Sequence, residues 1–173
     1  MIEYKVSTRR HVCGSALHFQ AWAIWPQPSN LIEVAQEAER LGYDTLWTAD
    51  RLLFPLNPRT KYPVTADGSW PEVYKRVLDP IESLTFVAAH TRRIGLGTSV
   101  LDLPFYDPVI LARRLTSLDI LSNGRLRAGF GWGWSADEFA AAGANQKERG
   151  ARADEFLAVL KTIWTEDPVE FHG

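Results

Sequence analysis

Between Arg125 and Phe139 the sequence reads RLRAGFGWGWSADEF, in which Gly129, Gly131 and Gly133 alternate with Phe130, Trp132 and Trp134. Three arrangements want glycines this close together: a phosphate cradle, a packed strand, and a strand thinned on one face to admit something flat. A dinucleotide loop has the spacing G-x-G-x-x-G and opens a helix directly after the first strand. Here the spacing is G-x-G-x-G, it falls in the fourth expected strand, and no P-loop lysine accompanies it. Positions two apart in a strand share a face. The glycines therefore strip one face while the aromatics load the other. A bare face lets a backbone or a planar ligand approach, and spacing alone leaves both open.

Other chemistry-bearing residues are more dispersed. Asp137 and Glu138 are adjacent carboxylates, but their simplest role is to stabilise a helix N-terminus. His11, His18, His90 and His172 are scattered and form no metal-ligand spacing, so no metal site is expected. Cys13 is the only cysteine, so no intrachain disulfide can form and a reducing cytoplasm is the expected location.

The elements that position these residues follow from periodicity and caps. Strands are expected at Ala16 to Ala23, Tyr43 to Ala49, Arg93 to Leu101 and Arg125 to Gly133. Asn30 with Glu33 reads as a capping box, with Gly42 as the stop of the helix that follows. Asp79-Pro80 and Asp107-Pro108 open two further helices. A last helix turns Phe156, Leu160, Ile163 and Trp164 inward before Pro168. Strand and helix thus alternate four times, which implies a parallel sheet with helices packed on it. A doubly wound sheet and a (β/α)₈ barrel both fit. The connection from Arg51 to Leu78 is too long for a simple turn and carries Tyr62, Trp70 and Tyr74. It leaves the C-terminal end of the second strand, where parallel sheets place active sites, and is expected to be an active-site loop.

The totals exclude some partners. The 173 residues carry a net charge of −2 with both signs interspersed, which argues against nucleic acid. No apolar run approaches the ~20 residues that cross a bilayer, so no membrane partner is expected.

Several long blocks have a family likeness: LGYDTLWTADRLLFP, RRIGLGTSVLDLPFYDPVILARRLTSLDILSNGRLRAGFGWGWSADEF and RADEFLAVLKTIWTEDPVEFHG. They resemble the bacterial luciferase-like oxidoreductases (luciferase-like monooxygenases), and more particularly the actinobacterial branch that uses deazaflavin coenzyme F420. The likeness runs from about Asn30 to Gly173, and residues 1–15 read as a divergent leader. The resemblance implies a TIM barrel that binds F420, or alternatively FMN, at its C-terminal mouth to act on a small-molecule substrate. It places Thr98, Ser99 and Val100 behind the cofactor ring, with a non-prolyl cis peptide between Ser99 and Val100. It places Asp50 near the ring's polar edge, and Gly131, Gly133 and Trp134 beside the ring. The bare glycine face is then clearance for a flat cofactor. Sugar-phosphate dehydrogenases of the branch carry a histidine after that aspartate and a glutamate after the glycines, whereas this chain has Arg51 and Trp134. A base for a substrate hydroxyl is therefore missing, which favours an F420H2-dependent reductase or a monooxygenase.

A full barrel takes ~250 residues. The resemblance makes residues 16–173 the N-terminal half of the barrel domain, and implies that the cofactor phosphate is held by the other half. The expectation is a half-barrel of about four βα units, as a truncated product or as a unit pairing with a copy of itself through its open edges. A non-catalytic half-barrel is the alternative to an enzyme.

Overall fold

The structure, a computed structural model, describes residues 18–20 and 28–173. The leader at 1–15 with His11 and Cys13, and both ends of the first expected strand, lie outside the described residues.

The strands are β1 (His18–Gln20), β2 (Thr45–Thr48), β3 (Gly95–Thr98), β4 (Leu101–Asp102), β5 (Leu126–Arg127) and β6 (Phe130–Gly131). The helices are α1 (Pro28–Arg40), α2 (Pro80–His90), α3 (Pro108–Leu121), α4 (Ala136–Ala142) and α5 (Arg149–Thr165). Strands β1, β2, β3 and β5 form one parallel sheet in that order, and β4 pairs in parallel with β6. Consecutive order removes the doubly wound alternative, whose strand order reverses at a switch point.

Side-chain alternation explains why the helices share one face. Leu46, Leu96 and Leu126 lie in register across β2, β3 and β5. They join a single core with Leu31 and Ala35 of α1, Leu84 and Val87 of α2, Leu111 and Leu115 of α3, and Leu160 of α5. Trp47 projects on the opposite face, over Gly97, where an added Cβ would run into the indole. This is the half-barrel arrangement, with helices outside and the other face concave.

Local signals account for most helix ends. Asp79 accepts the amide hydrogens of Ile81 and Glu82 before Pro80, and Asp107 accepts that of Ile110 before Pro108. Gly42 has φ +84°, the left-handed stop expected after α1. The Asn30 cap is corrected: α1 already begins at Pro28, because proline suits the first helical turn.

Two expected strands are each divided. The third breaks at a cis Ser99–Val100 peptide, between β3 and β4. The fourth breaks around Gly129, between β5 and β6. The cause is Thr98, whose hydroxyl donates to the Gly129 carbonyl and accepts the Gly129 N–H, both at 2.9 Å. A side chain thus takes the place of one ladder step.

Candidate functional site

The C-terminal ends of β2 and β3 are tied together by backbone. Ser99 N–H donates to the Thr48 carbonyl at 2.7 Å, and Asp50 N–H donates to the Val100 carbonyl at 3.3 Å. Next to this junction lies a cavity of about 150 Å³. Asp50, Ser99, Val100 and Trp134 line it, together with Ala49, Arg51, Tyr62, Tyr74 and Asp102.

Four of the seven residues expected at the site therefore converge. The other three stand behind the wall. Thr98 is fully buried and spends its hydroxyl on Gly129. A Cβ on Gly131 would lie 2.5 Å from Val100 Cγ2 and 2.9 Å from Asp102 Oδ1. Gly133 has φ +68° and packs under Phe105 and Phe139. The space beside Gly129 and Gly131 is thus filled by this chain's own Thr98, Val100 and Asp102, which is the backbone-approach reading of the bare face.

Asp50 and Arg51 leave β2 in opposite electrostatic settings. Asp50 Oδ2 accepts from the Tyr106 hydroxyl at 2.8 Å and from the Asp102 amide at 3.3 Å. Burial nevertheless wins over these two bonds, and its pKa rises to about 6. Arg51 turns inward. Its Nε donates to the Asp50 carbonyl at 2.9 Å, and its Nη2 lies 3.3 Å from Asp102 Oδ2 and 3.0 Å from Glu138 Oε2. The guanidinium carbon sits 5.1 Å from the Trp134 ring centre and 5.6 Å from that of Trp70. Its Nη1 is buried without a hydrogen-bond partner. Burial raises the pKa of both Asp102 and Glu138, while Arg51 opposes the rise.

The loop from Arg51 to Leu78 is a packed aromatic cover. Trp70 stacks on Trp134 at 5.0 Å, Tyr62 meets Trp134 edge-on at 5.8 Å, and the Tyr62 and Tyr74 hydroxyls are 2.7 Å apart. Burial and the Tyr62 hydroxyl raise the Tyr74 pKa. Trp70 donates its indole N–H to the Thr60 carbonyl at 2.9 Å. Helix α4 braces this cover: Glu138 accepts the Leu52 N–H, and Asp137 accepts the Arg59 N–H, both at 2.9 Å. Ser135 caps α4, so Asp137 and Glu138 do stand at a helix N-terminus. Glu138 is also the buried counter-ion of Arg51, a role that helix capping did not suggest.

Asp102, Tyr106 and Glu138 are the site residues that sequence reasoning missed. The first two sit inside the DLPFYDP block, where Asp102 and Tyr106 flank a turn, and that turn was the available signal. A larger cavity, about 360 Å³, lies between Leu103 to Pro108 and α5 and contains none of the expected residues.

The luciferase-like monooxygenase family model matches residues 7–173. The chain belongs to this family. An uncharacterised protein of Mycobacterium tuberculosis (strain ATCC 25618 / H37Rv) is 34% identical over 140 residues, which are 80% of this chain and 50% of that protein. The F420-dependent glucose-6-phosphate dehydrogenase of Amycolatopsis mediterranei (strain U-32) is 32% identical over 150 residues, 84% of this chain and 40% of the relative. The crystal structure of monooxygenase RslO1 from Streptomyces bottropensis matches with a TM-score of 0.74 at 26% identity, over 91% of this chain and 45% of that one. The luciferase-like chain described here thus spans at most about half the length of these relatives. Among the described residues, no helix is long and apolar enough to cross a membrane.

Proposed function

We propose that the chain supplies the ring-facing wall of a flavin- or deazaflavin-dependent oxidoreductase, with F420 as the cofactor and FMN as the alternative. The observation that carries this reading is the convergence of Asp50, Ser99, Val100 and Trp134 on one cavity at the C-terminal strand ends. Identity of 31–32% to two proteins named as F420-dependent dehydrogenases supports the deazaflavin. When bound, such a cofactor supplies hydride transfer.

The residues present fit the ring end of such a group. Ser99 and Val100 are exposed although they follow a fully buried strand, so a small polar and an apolar surface are offered side by side. Asp50 stands next to them with a carboxyl that changes protonation near pH 6. It can take up or release a proton close to neutrality. Arg51 holds no basic atom, and its guanidinium is committed to Asp102 and Glu138. It cannot replace the histidine base of a sugar-phosphate dehydrogenase. A reductase or monooxygenase reaction, which asks less acid–base work of the protein, suits this wall better. The aromatic cover of Tyr62, Trp70 and Trp134 walls off one side of it.

Amide NMR of the chain during titration with F420 and with riboflavin tests the reading. Shifts should concentrate at Asp50, Ser99, Val100 and Trp134, and Val100→Asp should abolish them. Shifts from riboflavin alone would favour the flavin alternative. Shifts confined to other regions, or none with either ligand, would leave a half-barrel without cofactor function.

A further inference from the structure

We propose that the cavity beside Asp50 accepts the uncharged, ring-sized part of a substrate (a ketone, alcohol or amide) and rejects phosphate and carboxylate groups. The proposal rests on the reading of this wall as the redox site, and it names the substrate class of that site.

Size comes first. At about 150 Å³ the cavity is smaller than a drug-sized pocket. A cavity of roughly this volume holds a single benzene-sized ring, not three fused rings. The exposed Ser99–Val100 surface, edged by Asp50 and Trp134, is left for the cofactor ring, and the space that Trp134 shares with Tyr62 and Tyr74 for the reacting end of the substrate.

Charge decides the rest. Asp50 and Asp102 both line the cavity, and among the described residues Arg51 is the only cation that does. That cation is already shared between Asp102 at 3.3 Å and Glu138 at 3.0 Å. Its Nε is spent on the Asp50 carbonyl, and its Nη1 is buried. The one guanidinium nitrogen without a partner is buried away from an entering anion, and three carboxylates stand against one positive charge. An entering anion meets like charge at short range in a partly desolvated site. A neutral carbonyl, hydroxyl or amide meets only hydrogen-bonding groups: the Ser99 hydroxyl, the Tyr62–Tyr74 hydroxyl pair and the Asp50 carboxyl. Substrate choice here therefore differs from recognition of a phosphorylated sugar near the reacting carbon.

Benzamide and benzoate have the same shape and differ in charge. Their binding to the whole chain at neutral pH, followed by quenching of tryptophan fluorescence, is the test. Benzamide should bind at least about tenfold more tightly, as expected for one short-range like-charge contact. Asp50→Asn should narrow that ratio severalfold. Raised salt should narrow it in the unaltered protein, which keeps the test valid should the variant fold poorly. Equal or tighter binding of benzoate, a ratio indifferent to both salt and Asp50→Asn, or no binding of either compound would overturn the proposal. Saturating riboflavin should leave benzamide affinity undiminished, and mutual displacement would overturn the assignment of this cavity to substrate. If riboflavin fails to bind while benzamide is still preferred, the cofactor reading falls and the charge selectivity stands.

Discussion

Arg51 Nη2 lies 3.0 Å from Glu138 Oε2, with the arginine side chain 7% exposed and the glutamate 0%. This pair joins the end of β2 to α4 and, through Asp102, to β4. Removing one partner of a buried pair strands the other charge, which costs about 3–5 kcal/mol. Arg51→Met should destabilise the chain by that order in urea unfolding, because Glu138 and Asp102 lose their common counter-ion. The double variant Arg51→Met with Glu138→Gln should recover part of the loss. Arg40→Ala, which breaks an exposed pair with Glu37, should leave stability almost unchanged.

Asp50 gives the fold a pH dependence of a definite sign. Its pKa is about 6 in the folded chain because burial outweighs the Tyr106 and Asp102 hydrogen bonds, against an ordinary aspartate value of about 3.9. Between those two values the folded chain binds more protons at this site than the unfolded chain. The contribution of Asp50 to stability is therefore fully present below about pH 4 and lost as the pH rises through about 6. Measured as melting temperature, the difference between the unaltered protein and Asp50→Asn should shift against the unaltered protein over that window and level off above it. Asp102 and Glu138, also raised by burial, remain in both proteins. A difference that is flat from pH 4 to pH 7 would mean that Asp50 keeps an ordinary pKa.

Much of this arrangement was legible because it depends on near neighbours in sequence. The Asp79-Pro80 and Asp107-Pro108 starts are local capping chemistry, and both helices begin where those pairs stand. The parallel sheet followed from the repeat of strand and helix, and its consecutive order from the barrel that the family likeness implied. The cis Ser99–Val100 bond is present where the family likeness placed it. What stayed hidden depends on distant parts of the chain. The break in the fourth strand coincides with one hydroxyl, that of Thr98, bonding twice to Gly129, and periodicity carries no trace of it. Glu138 looked like a helix-start charge because its partner Arg51 approaches only in the folded chain. The glycine face was ambiguous for a similar reason: spacing shows that a face is bare, not what fills it. At Gly129 and Gly131 the filler is this chain's own backbone and side chains.

The aromatic cover should open when its central stack is removed. Trp70 is 6% exposed, stacks on Trp134 at 5.0 Å and hydrogen-bonds the Thr60 carbonyl. Arg59 and Lys61 are exposed in the same loop, so trypsin has sites there that only local order protects. Trp70→Ala should speed cleavage after Arg59 and Lys61 by at least about tenfold, since truncating a buried tryptophan costs about 3–5 kcal/mol. Cleavage at the exposed Lys161 of α5 serves as the internal control and should change little. Equal acceleration at all sites would indicate global unfolding instead of an opened cover.

The described helix starts bear on how this chain treats a cofactor's phosphate. A helix N-terminus attracts phosphate through its free amides and its dipole. Here α2 and α3 are capped by Asp79 and Asp107, α4 carries Asp137 and Glu138 in its first turn, and α5 follows Glu148. The starts of α2, α3 and α4 thus already face a carboxylate, so a phosphate there would meet repulsion where it needs donors, whereas Glu148 does not cap α5. A phosphate that gained even one charge-assisted hydrogen bond would add about 1.5–3 kcal/mol, or more than tenfold in affinity. FMN and riboflavin share the isoalloxazine ring and differ only in that phosphate. If binding to this chain comes from the ring wall of Ser99, Val100 and Trp134, the two should bind within about threefold of each other, a difference smaller than one such bond supplies. Titration calorimetry on the monomer decides the matter. FMN binding more than tenfold tighter than riboflavin would show that residues 1–173 hold a phosphate through donors other than the starts of α2, α3 and α4.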